Sequence, residues 1–513
     1  MIPFRRSQVS FTEMRDSLDP TTAEARVATL LKNVYPIDTH QGAAVVGRPG
    51  CQQMGSQLGA AGTRRMQRVY QFTKLDGTEY TVGFCGGLMY TFDWVARSWS
   101  SVALSGVSLS TSGVVYCATF ADKLVVSDGT NIPWTWDGSS FVTLSNCPVL
   151  YGPPTVYYAK LFGVKNSDRN VIVWSEEADP TTGYEANDYN NAWRLGQTDQ
   201  EALECLVGTN EALYYWRSRS LNAISGAVTP EFVSSGTREG VSETIGTESP
   251  NSVTVFEGDI YFLSADGHPY RLPVGGRPIP AWEGLRETLA AIPRSLITKA
   301  VGAAYQPTQH VLLGFCAELQ SEVGTLAAFD TRTQKLAGLW DGFNAVTLDV
   351  VKNQDGVPTL IHGSENGYAY DHGHPNGSLW TDALNATDGG TTAIEHDVIG
   401  TPLAYETHIE SAFVRLDMTC RAVTDMTLSV SYETPRGTNT AQSVSVTANT
   451  ASWDGTWDGT WAGVIRERHA AVGWKGYGRW IKPRVLHQSG VQRFGLIAWT
   501  VTGAAATDHP SAK

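Results

Sequence analysis

Two short groups of side chains could do chemistry if the fold brought them together. His372-Gly373-His374 could place two imidazoles on one metal ion. Glu176-Glu177 with Asp179 offers paired carboxylates of the kind that hydrolyse glycosidic bonds. Each group also has a plainer interpretation, because two close histidines beside a proline are typical of a polar turn and adjacent like charges are typical of a solvated loop. The sequence favours the plainer interpretation for both.

A third group, Ser127-Asp128-Gly129 with Trp134, is similar to the Asp-box of sialidase propellers, but it occurs once and no arginine triad accompanies it. The chain also lacks the motifs G-x-x-x-x-G-K-[ST], H-E-x-x-H, G-x-S-x-G and G-x-G-x-x-G, which would indicate nucleotide binding, zinc or a serine nucleophile. The sequence therefore predicts a protein that is not an enzyme, with no catalytic, cofactor-binding or metal-binding residue.

The charge of the chain restricts its partners. Only 17% of the 513 residues are charged, and the formal net charge is −13. A sequence-specific DNA-binding protein would present a basic patch, and Arg64-Arg65 and Arg466-Glu467-Arg468 are too small to form one. Double-stranded DNA is still allowed as a non-specific cargo, because a negatively charged lumen lets a polyanion slide without sticking.

The cysteines and the apolar runs indicate where the chain is made. The seven cysteines are scattered and form no C-x-x-C pair, which opposes a zinc cluster or a redox motif and indicates a reducing compartment. No apolar run approaches the roughly 18 residues that a membrane-spanning helix needs, and no signal peptide is apparent.

The elements that would position these residues are predicted to be strands. A phrase of aromatic, any residue, aromatic and aspartate recurs at Tyr90 to Asp93 and Trp134 to Asp137, with weaker copies at Phe329-Asp330 and Tyr368 to Asp371. The aspartates are 44 residues apart in the first pair and 41 in the last. A period of about 40 to 50 residues with aromatic strands is typical of a β-propeller.

The predicted fold is all-β, with a β-propeller of about seven blades, six to eight being possible, followed by a C-terminal β-sandwich-like domain. We expect an N-terminal leader and first strand over residues 1–50, the propeller over 51–380, a linker or loop over 381–398 and the C-terminal β-domain over 399–513. Two helices are predicted, at Ser10 to Lys32 and at Trp282 to Ile292.

Four stretches carry a resemblance to a known family. They are Asn33-Val34 followed by Arg48-Pro49-Gly50, Phe120 to Gly129 with Trp136-Asp137-Gly138, Trp174-Ser175 with Asp179-Pro180 and Trp193, and Gly246 to Val253 continued by Gly258 to His268. The order and spacing of these four stretches, over residues 28–290, resemble those of the tail nozzle or packaged-DNA stabilisation proteins of short-tailed bacteriophages.

This resemblance implies a structural protein of the virion tail, assembled in the cytoplasm of the host bacterium. Members form a homo-oligomeric ring, usually of six copies, at the far end of the portal–adaptor channel. The implied partners are further copies of the chain, the head-to-tail adaptor, tail fibre or needle proteins, and viral double-stranded DNA. Such a ring retains the packaged genome and opens for ejection.

Closing such a conduit would need protruding loops. The candidates are Asp388, within a stretch rich in Gly, Thr, Asn and Asp, and the tandem of Trp453, Trp457 and Trp461, which could instead pack on the C-terminal domain. Two alternatives stay open. One is a carbohydrate-active propeller, and the other is a propeller that presents loops to a receptor without assembling into a ring.

Overall fold

The computed structural model describes most of the chain. The described residues are 2–9, 11, 13–15, 27–39, 42–184, 191–195, 201–228, 232, 236–281, 292–315, 324–343, 345–373, 381–382, 392–404, 410–422, 425–446, 466–489 and 495–505. Within them the protein is built from strands, which confirms the all-β prediction. None of the described helices is long and apolar enough to cross a membrane.

The chain begins with six strands and then forms a series of small sheets. The first six strands are β1 (Ile2–Val9), β2 (Glu13–Met14), β3 (Val27–Lys32), β4 (Val34–Thr39), β5 (Gly42–Gly47) and β6 (Cys51–Gln53). Sheet 1 contains β7 (Met66–Thr73), β8 (Glu79–Cys85), β9 (Leu88–Asp93) and β10 (Ser98–Val102). Sheet 2 contains β11 (Tyr116–Phe120), β12 (Lys123–Ser127), β13 (Trp134–Trp136) and β14 (Phe141–Thr143).

Three more antiparallel sheets follow in chain order. Sheet 3 contains β15 (Leu150–Tyr157), β16 (Lys160–Lys165) and β17 (Val171–Glu176), with β18 (Asp179–Gly183) and β19 (Ala192–Arg194) both paired to β17. Sheet 4 contains β20 (Leu203–Gly208), β21 (Leu213–Arg217), β22 (Leu221–Ser225) and β23 (Thr237–Ser242). Sheet 5 contains β24 (Thr254–Phe256), β25 (Asp259–Leu263), β26 (Pro269–Leu272) and β27 (Ile279–Pro280).

Two further groups of strands continue the series. Sheet 6 contains β28 (Val301–Tyr305), β29 (His310–Phe315), β30 (Gly324–Asp330) and β31 (Lys335–Phe343), preceded by the short helix α1 (Arg294–Ile297). Sheet 7 contains β32 (Thr347–Lys352), β33 (Pro358–Gly363) and β34 (Ala369–His372), and its fourth strand is β6. The last sheet is therefore completed by a strand from the other end of the chain.

The recurring aspartate ends the third strand of a sheet and shapes the turn to the fourth. Oδ1 of Asp93 accepts the N–H groups of Val95 and Ala96 at 2.8 and 2.9 Å, and Oδ1 of Asp137 accepts two N–H groups in the same way. Asp330 makes the equivalent bond to Arg332 at 2.8 Å. Such side-chain bonds imitate a backbone turn, which explains the aspartate of the phrase in sheets 1, 2 and 6.

Clusters of buried apolar side chains join each sheet to the next. Phe84 and Leu124 belong to the cluster between sheets 1 and 2, and five further clusters follow the sheets in order to sheet 7. The seventh, which contains Val69 and Val351, joins sheet 7 back to sheet 1, where β32 contacts β7. In the described part of the chain the contacts among the seven sheets therefore close a circle.

The rest of the chain forms two larger sheets. The remaining strands are β35 (Thr381–Asp382), β36 (Thr392–Gly400), β37 (Ser411–Ala422), β38 (Met426–Thr434), β39 (Gly437–Thr438), β40 (Gln442–Val446), β41 (Arg466–Gly478), β42 (Lys482–Ser489) and β43 (Gly495–Ala505). We call β1 to β5 together with β36 to β43 the terminal body. One of its sheets has the order β4-β5-β43-β37-β41 with β1 on β43, and the other continues from β31 through β3, β36, β42 and β38.

The two sheets of the terminal body share one apolar core. Alternate residues of β38, from Met426 through Leu428 and Val430 to Tyr432, are buried in it. Phe4 and Leu31 from the beginning of the chain and Trp499 from its end are buried in the same cluster. The predicted boundary at residue 50 thus separates strands that the structure pairs with one another, because β1 lies on β43 and β3 lies on β36.

Two predictions about local structure need correction. The helix predicted over Ser10 to Lys32 is wrong where the residues are described, because Glu13–Met14 and Val27–Lys32 are strands: β2 pairs with β3, and β3 lies between β31 and β36. Tertiary pairing has overridden local propensity there. The loop predicted over 381–398 contains the strand β36 from Thr392. Most of the second predicted helix, residues 282–291, lies outside the described part of the chain.

Candidate functional site

Asn33, one of the residues that carry the family resemblance, is the centre of a buried polar cluster. It joins β3 to β4 with a φ of 56°, a left-handed conformation that Asn tolerates better than most residues. Its N–H donates to the carbonyl of Leu339 at 2.6 Å, and its own carbonyl accepts the N–H of Arg48 at 2.8 Å. Its side-chain amide donates to Asp341 Oδ1 at 2.5 Å and to the carbonyl of Glu395 at 2.9 Å. Asn33 therefore ties three separate segments together.

Arg48 completes this cluster from the segment that leads into β6. Its guanidinium is buried, with Nε donating to Asn33 Oδ1 at 2.8 Å. Nη1 donates to the carbonyl of Pro49 at 3.0 Å, and Nη2 donates to the carbonyl of Asp341 at 2.9 Å. The several donors of one planar group thus fix the first segment against the end of sheet 6. We call Asn33, Arg48 and Asp341 the junction cluster.

Ion pairs continue the junction cluster towards the terminal body. Lys32 Nζ lies 2.9 Å from Asp341 Oδ2 and 3.2 Å from Glu395 Oε1. The hydrogen bond from Gln488, together with Lys32, holds the pKa of Glu395 below its usual value. The carboxylate therefore stays ionised at neutral pH, and the ion pair to Lys32 persists.

Two pairs of buried histidines lie near Arg48. His396 and His487 approach with 3.2 Å between their Nδ1 atoms, and His362 Nδ1 lies 2.9 Å from His372 Nε2. Burial, the neighbouring imidazole and Arg48 lower the pKa of His372 and of His396 well below the usual value. Burial lowers the pKa of His487 to about 4. The three imidazoles are therefore neutral at pH 7.

The close approach of His396 requires a glycine on the facing strand. A Cβ at Gly47 would lie 2.5 Å from His396 Nε2, which is nearer than real contacts allow. His372, one of the two histidines of the possible metal pair, contacts His362, whereas His374 lies outside the described residues. No group of three or more possible metal ligands occurs among the described residues.

The most specific stretch of the resemblance, Gly246 to Val253, forms a second buried polar network. The hydroxyl of Thr247 donates to the carbonyl of Leu263, and that of Ser249 donates to the carbonyl of Ile297. The hydroxyl of Ser252 donates to the carbonyl of Ser249 at 2.8 Å and accepts the N–H of Leu263 at 3.1 Å. These hydroxyls join sheet 5 to the segment before sheet 6.

The centre of the circle is occupied by side chains. Arg68 of β7 and Asp349 of β32 form an ion pair of 2.9 Å across the contact of sheets 1 and 7. Burial raises the pKa of Asp349 in spite of this partner. Above the pair, at the ends where the first strands begin, lies a cavity of about 360 Å³. This volume is at the lower end of the range of small-molecule sites.

The other residues singled out in the sequence have structural contacts. Glu176 lies 3.3 Å from Lys160 Nζ, and Asp179 accepts the N–H of Thr181 at 2.9 Å, so the two carboxylates serve different contacts. Asp128 accepts the N–H groups of Ser110, Thr130 and Asn131. These bonds hold its pKa below the usual value although burial alone would raise it.

The four candidate gate residues, Asp388, Trp453, Trp457 and Trp461, lie outside the described residues. The sequence did not indicate that Asn33 and Arg48 would meet, nor that Asp341 would join them. The one available signal was their place in the resemblance, since a buried hydrogen-bond cluster leaves no periodic pattern.

Comparison with known proteins adds little to this description. No protein-family model matches the chain, and no curated protein matches it. Among solved structures it is similar to the WD40 domain of Neurospora crassa Pan2, with 8% sequence identity and a TM-score of 0.39, over 66% of this chain and 98% of that one. A likeness at this level carries no argument about fold or function.

Proposed function

We propose that this chain is a structural protein of a short-tailed bacteriophage virion, forming a ring of about six copies at the distal end of the tail. In this proposal the seven sheets are the blades of a closed propeller, and the terminal body is the β-sandwich-like domain attached to it. The ring conducts the genome, retains it after packaging and opens for ejection. Its partners are the head-to-tail adaptor, tail fibre or needle proteins, and double-stranded DNA.

The observation that carries the proposal is the structural role of the residues behind the resemblance. Asn33 and Arg48 are hydrogen-bonded to each other and to the end of sheet 6. Thr247, Ser249 and Ser252 are buried and bonded between sheets. Two of the four stretches that carry the resemblance thus supply buried polar connections between separate segments of the fold, as residues that define a shared architecture would.

The conduit in this proposal lies between copies of the chain rather than within one. The centre of a single circle holds the Arg68–Asp349 ion pair and a cavity of about 360 Å³. A cavity of this volume is of small-molecule size, and side chains fill the space beside it, so duplex DNA cannot pass through it. Six copies at −13 each would bring −78 formal charges (6 × −13) to the ring. Wherever these line the lumen, repulsion acting over about 8 Å keeps DNA off the wall.

The experiment that tests the proposal is cryo-electron microscopy of the virus particle that encodes this chain. We expect a ring below the portal and adaptor, at the distal end of the tail, into which the circle and the terminal body fit as repeated copies. A chain that is absent from the virion, or that sits on a peripheral fibre, would overturn the proposal. Cleavage of host glycan by the purified chain would instead favour the carbohydrate-active alternative.

The gate is tested separately, in particles assembled with altered chains. Replacing residues 383–391, which include Asp388, with Gly and Ser at equal length should release DNA into nuclease-sensitive form. Replacing Trp453, Trp457 and Trp461 with alanine tests the second candidate in the same assay. The matched control replaces Leu75, which is 89% exposed on a turn of sheet 1, with serine. Full DNA retention by a variant removes that segment from the gate.

A further inference from the structure

The cavity at the centre of the circle is built by all seven sheets and the segments that lead into them. Arg65 contributes from sheet 1, Tyr116 and Tyr151 from sheets 2 and 3, and Val346 from sheet 7. Lys299 contributes from the segment between α1 and β28 of sheet 6. Each of these residues lies at or just before the beginning of the first strand of its sheet. The site therefore depends on the closed circle and not on one loop.

The cavity is lined by charged side chains of both signs. The acidic side chains, Glu204 and Glu248, come from sheets 4 and 5. The cations come from sheet 1 (Arg65), sheet 3 (Arg169) and the segment before sheet 6 (Lys299). Because sheets 5 and 6 are neighbours in the circle, Glu248 and Lys299 come from adjacent parts of the cavity wall.

Two aromatic side chains, Tyr116 of sheet 2 and Tyr151 of sheet 3, also line the cavity. The guanidinium of Arg169 lies 3.7 Å from the ring centroid of Tyr151, and its Nη2 lies 2.6 Å from Glu204 Oε2. The hydroxyl of Tyr151 donates to the same Oε2 at 3.0 Å. These contacts hold the aromatic ring and the carboxylate in fixed positions, so this part of the site is preorganised.

Other polar groups that line the cavity have no such partner. Within the described part of the chain, the Lys299 ammonium and the Glu248 carboxylate form no hydrogen bond or ion pair, and the Tyr116 hydroxyl forms no hydrogen bond. Arg65, by contrast, lies 3.3 Å from Glu365. Unpaired groups of opposite charge in one partly enclosed cavity are suited to a ligand that carries both charges.

We propose that the cavity binds a small zwitterion of amino-acid size, with its ammonium group at Glu248 and its carboxylate at Lys299. The apolar part of the ligand packs against Tyr116 and Tyr151. This site is separate from the junction cluster, and it does not depend on ring assembly.

The test uses calorimetric titration of the full chain with four probes of similar size. They are leucine, which carries both charges, leucinamide, which is only a cation, 4-methylpentanoate, which is only an anion, and glucose, which is neutral. We expect saturable binding of leucine and at least tenfold weaker binding of the other three, since one charge-assisted hydrogen bond contributes about a factor of ten. Equal binding of the anion, preferential binding of glucose or no binding of leucine would each overturn the proposal.

Two variants with matched controls locate the site. Lys299→Met and Glu248→Gln should each weaken leucine binding at least tenfold. Arg294→Met and Glu243→Gln change exposed residues of the neighbouring segments that do not line the cavity, and they should bind leucine as the unaltered chain does. Thermal unfolding of all four variants checks that the fold is kept. Leucine binding that survives both cavity variants would place the ligand elsewhere and refute the assignment.

Discussion

The circle of sheets and the terminal body are built from the chain in opposite ways. Within each of sheets 1 to 6 the strands follow one another in sequence and are joined by turns or loops. In the terminal body the first strand pairs with the last, so that Ile2 lies opposite Ala505. Closing so large a loop costs conformational entropy before any contact repays it. Sheets 1 to 6 can therefore each form locally, whereas sheet 7 needs β6 from early in the chain and the terminal body needs both ends of it.

The two regions meet in the short segment around Arg48. Arg48 belongs to the junction cluster, and three residues later β6 begins as the last strand of sheet 7, with Cys51 opposite His372. Closure of the circle and assembly of the terminal body are thus joined through a few residues.

The largest effect that separates the two regions comes from their apolar cores. Phe11→Ala in the terminal body and Phe84→Ala in the circle each remove a fully buried ring, and each should cost about 4 kcal/mol in the free energy of unfolding. Hydrogen exchange should show that the two substitutions expose different strands. Phe11 packs edge-on against Trp499 at 5.0 Å between ring centroids, so its loss should expose β1 and β43 together. Loss of Phe84 should expose sheets 1 and 2. Equal exposure of the circle by both variants would show that the regions unfold as one unit.

Removing the junction cluster should have the next largest effect. Arg48→Met leaves the carbonyls of Pro49 and Asp341 without the guanidinium donor, while the side-chain oxygen of Asn33 keeps only the N–H of Asp341. We expect a loss of about 3 kcal/mol in urea denaturation, since each buried acceptor left unsatisfied costs about 1 to 3 kcal/mol. Arg64→Met, at an exposed position, is the control and should change stability by less than about 0.5 kcal/mol. A loss for Arg48→Met no larger than that of the control would refute the role assigned to the cluster.

The sequence predicted the circle better than the terminal body for the same physical reason. The aromatic–aspartate phrase is local, because the aspartate bonds within its own turn, as Asp93 and Asp137 do. Strands of the terminal body such as Met426–Thr434 were also visible from alternation. Their partners were not, because nothing in the segment 27–32 indicates that it will lie against β36, more than 360 residues away. The junction cluster could not be predicted for the same reason, since Asn33 and Arg48 meet Asp341 from about 300 residues away.

The histidines near the junction should make stability depend on pH. The pKa of His487 is lowered from the usual 6.5 to about 4 by burial. Between these values the unfolded chain takes up a proton that the folded chain does not, so stability falls as the pH falls from 6.5 towards 4. His487→Gln should make this fall shallower by about 1 kcal/mol per pH unit.

We compare the slopes of the free energy of unfolding against pH, because a loss of stability in His487→Gln that is the same at every pH does not change the slope. His469→Gln is the control, because His469 is exposed on β41 and lies in the same region. The measurement is the free energy of unfolding from urea titrations at several pH values between 4 and 7. An unchanged slope in His487→Gln, or an equal change in His469→Gln, would show that the buried pair does not govern this response.

The smallest effect is expected at the ion pair that joins sheet 1 to β34, the strand of sheet 7 that pairs with β6. Arg97 Nη2 lies 2.7 Å from Asp371 Oδ1, and the arginine side chain is 37% exposed. Exposed pairs contribute about 1 kcal/mol or less, so Arg97→Ala should cost about 1 kcal/mol and less in 1 M salt, where the screening length falls to about 3 Å. Arg332→Ala, which breaks a pair within a single turn of sheet 6, is the matched control.

If Arg97→Ala instead cost more than about 2 kcal/mol, this ion pair would close the circle. A small loss assigns closure to the strand pairing of β6 with β34 and to the apolar cluster beneath it.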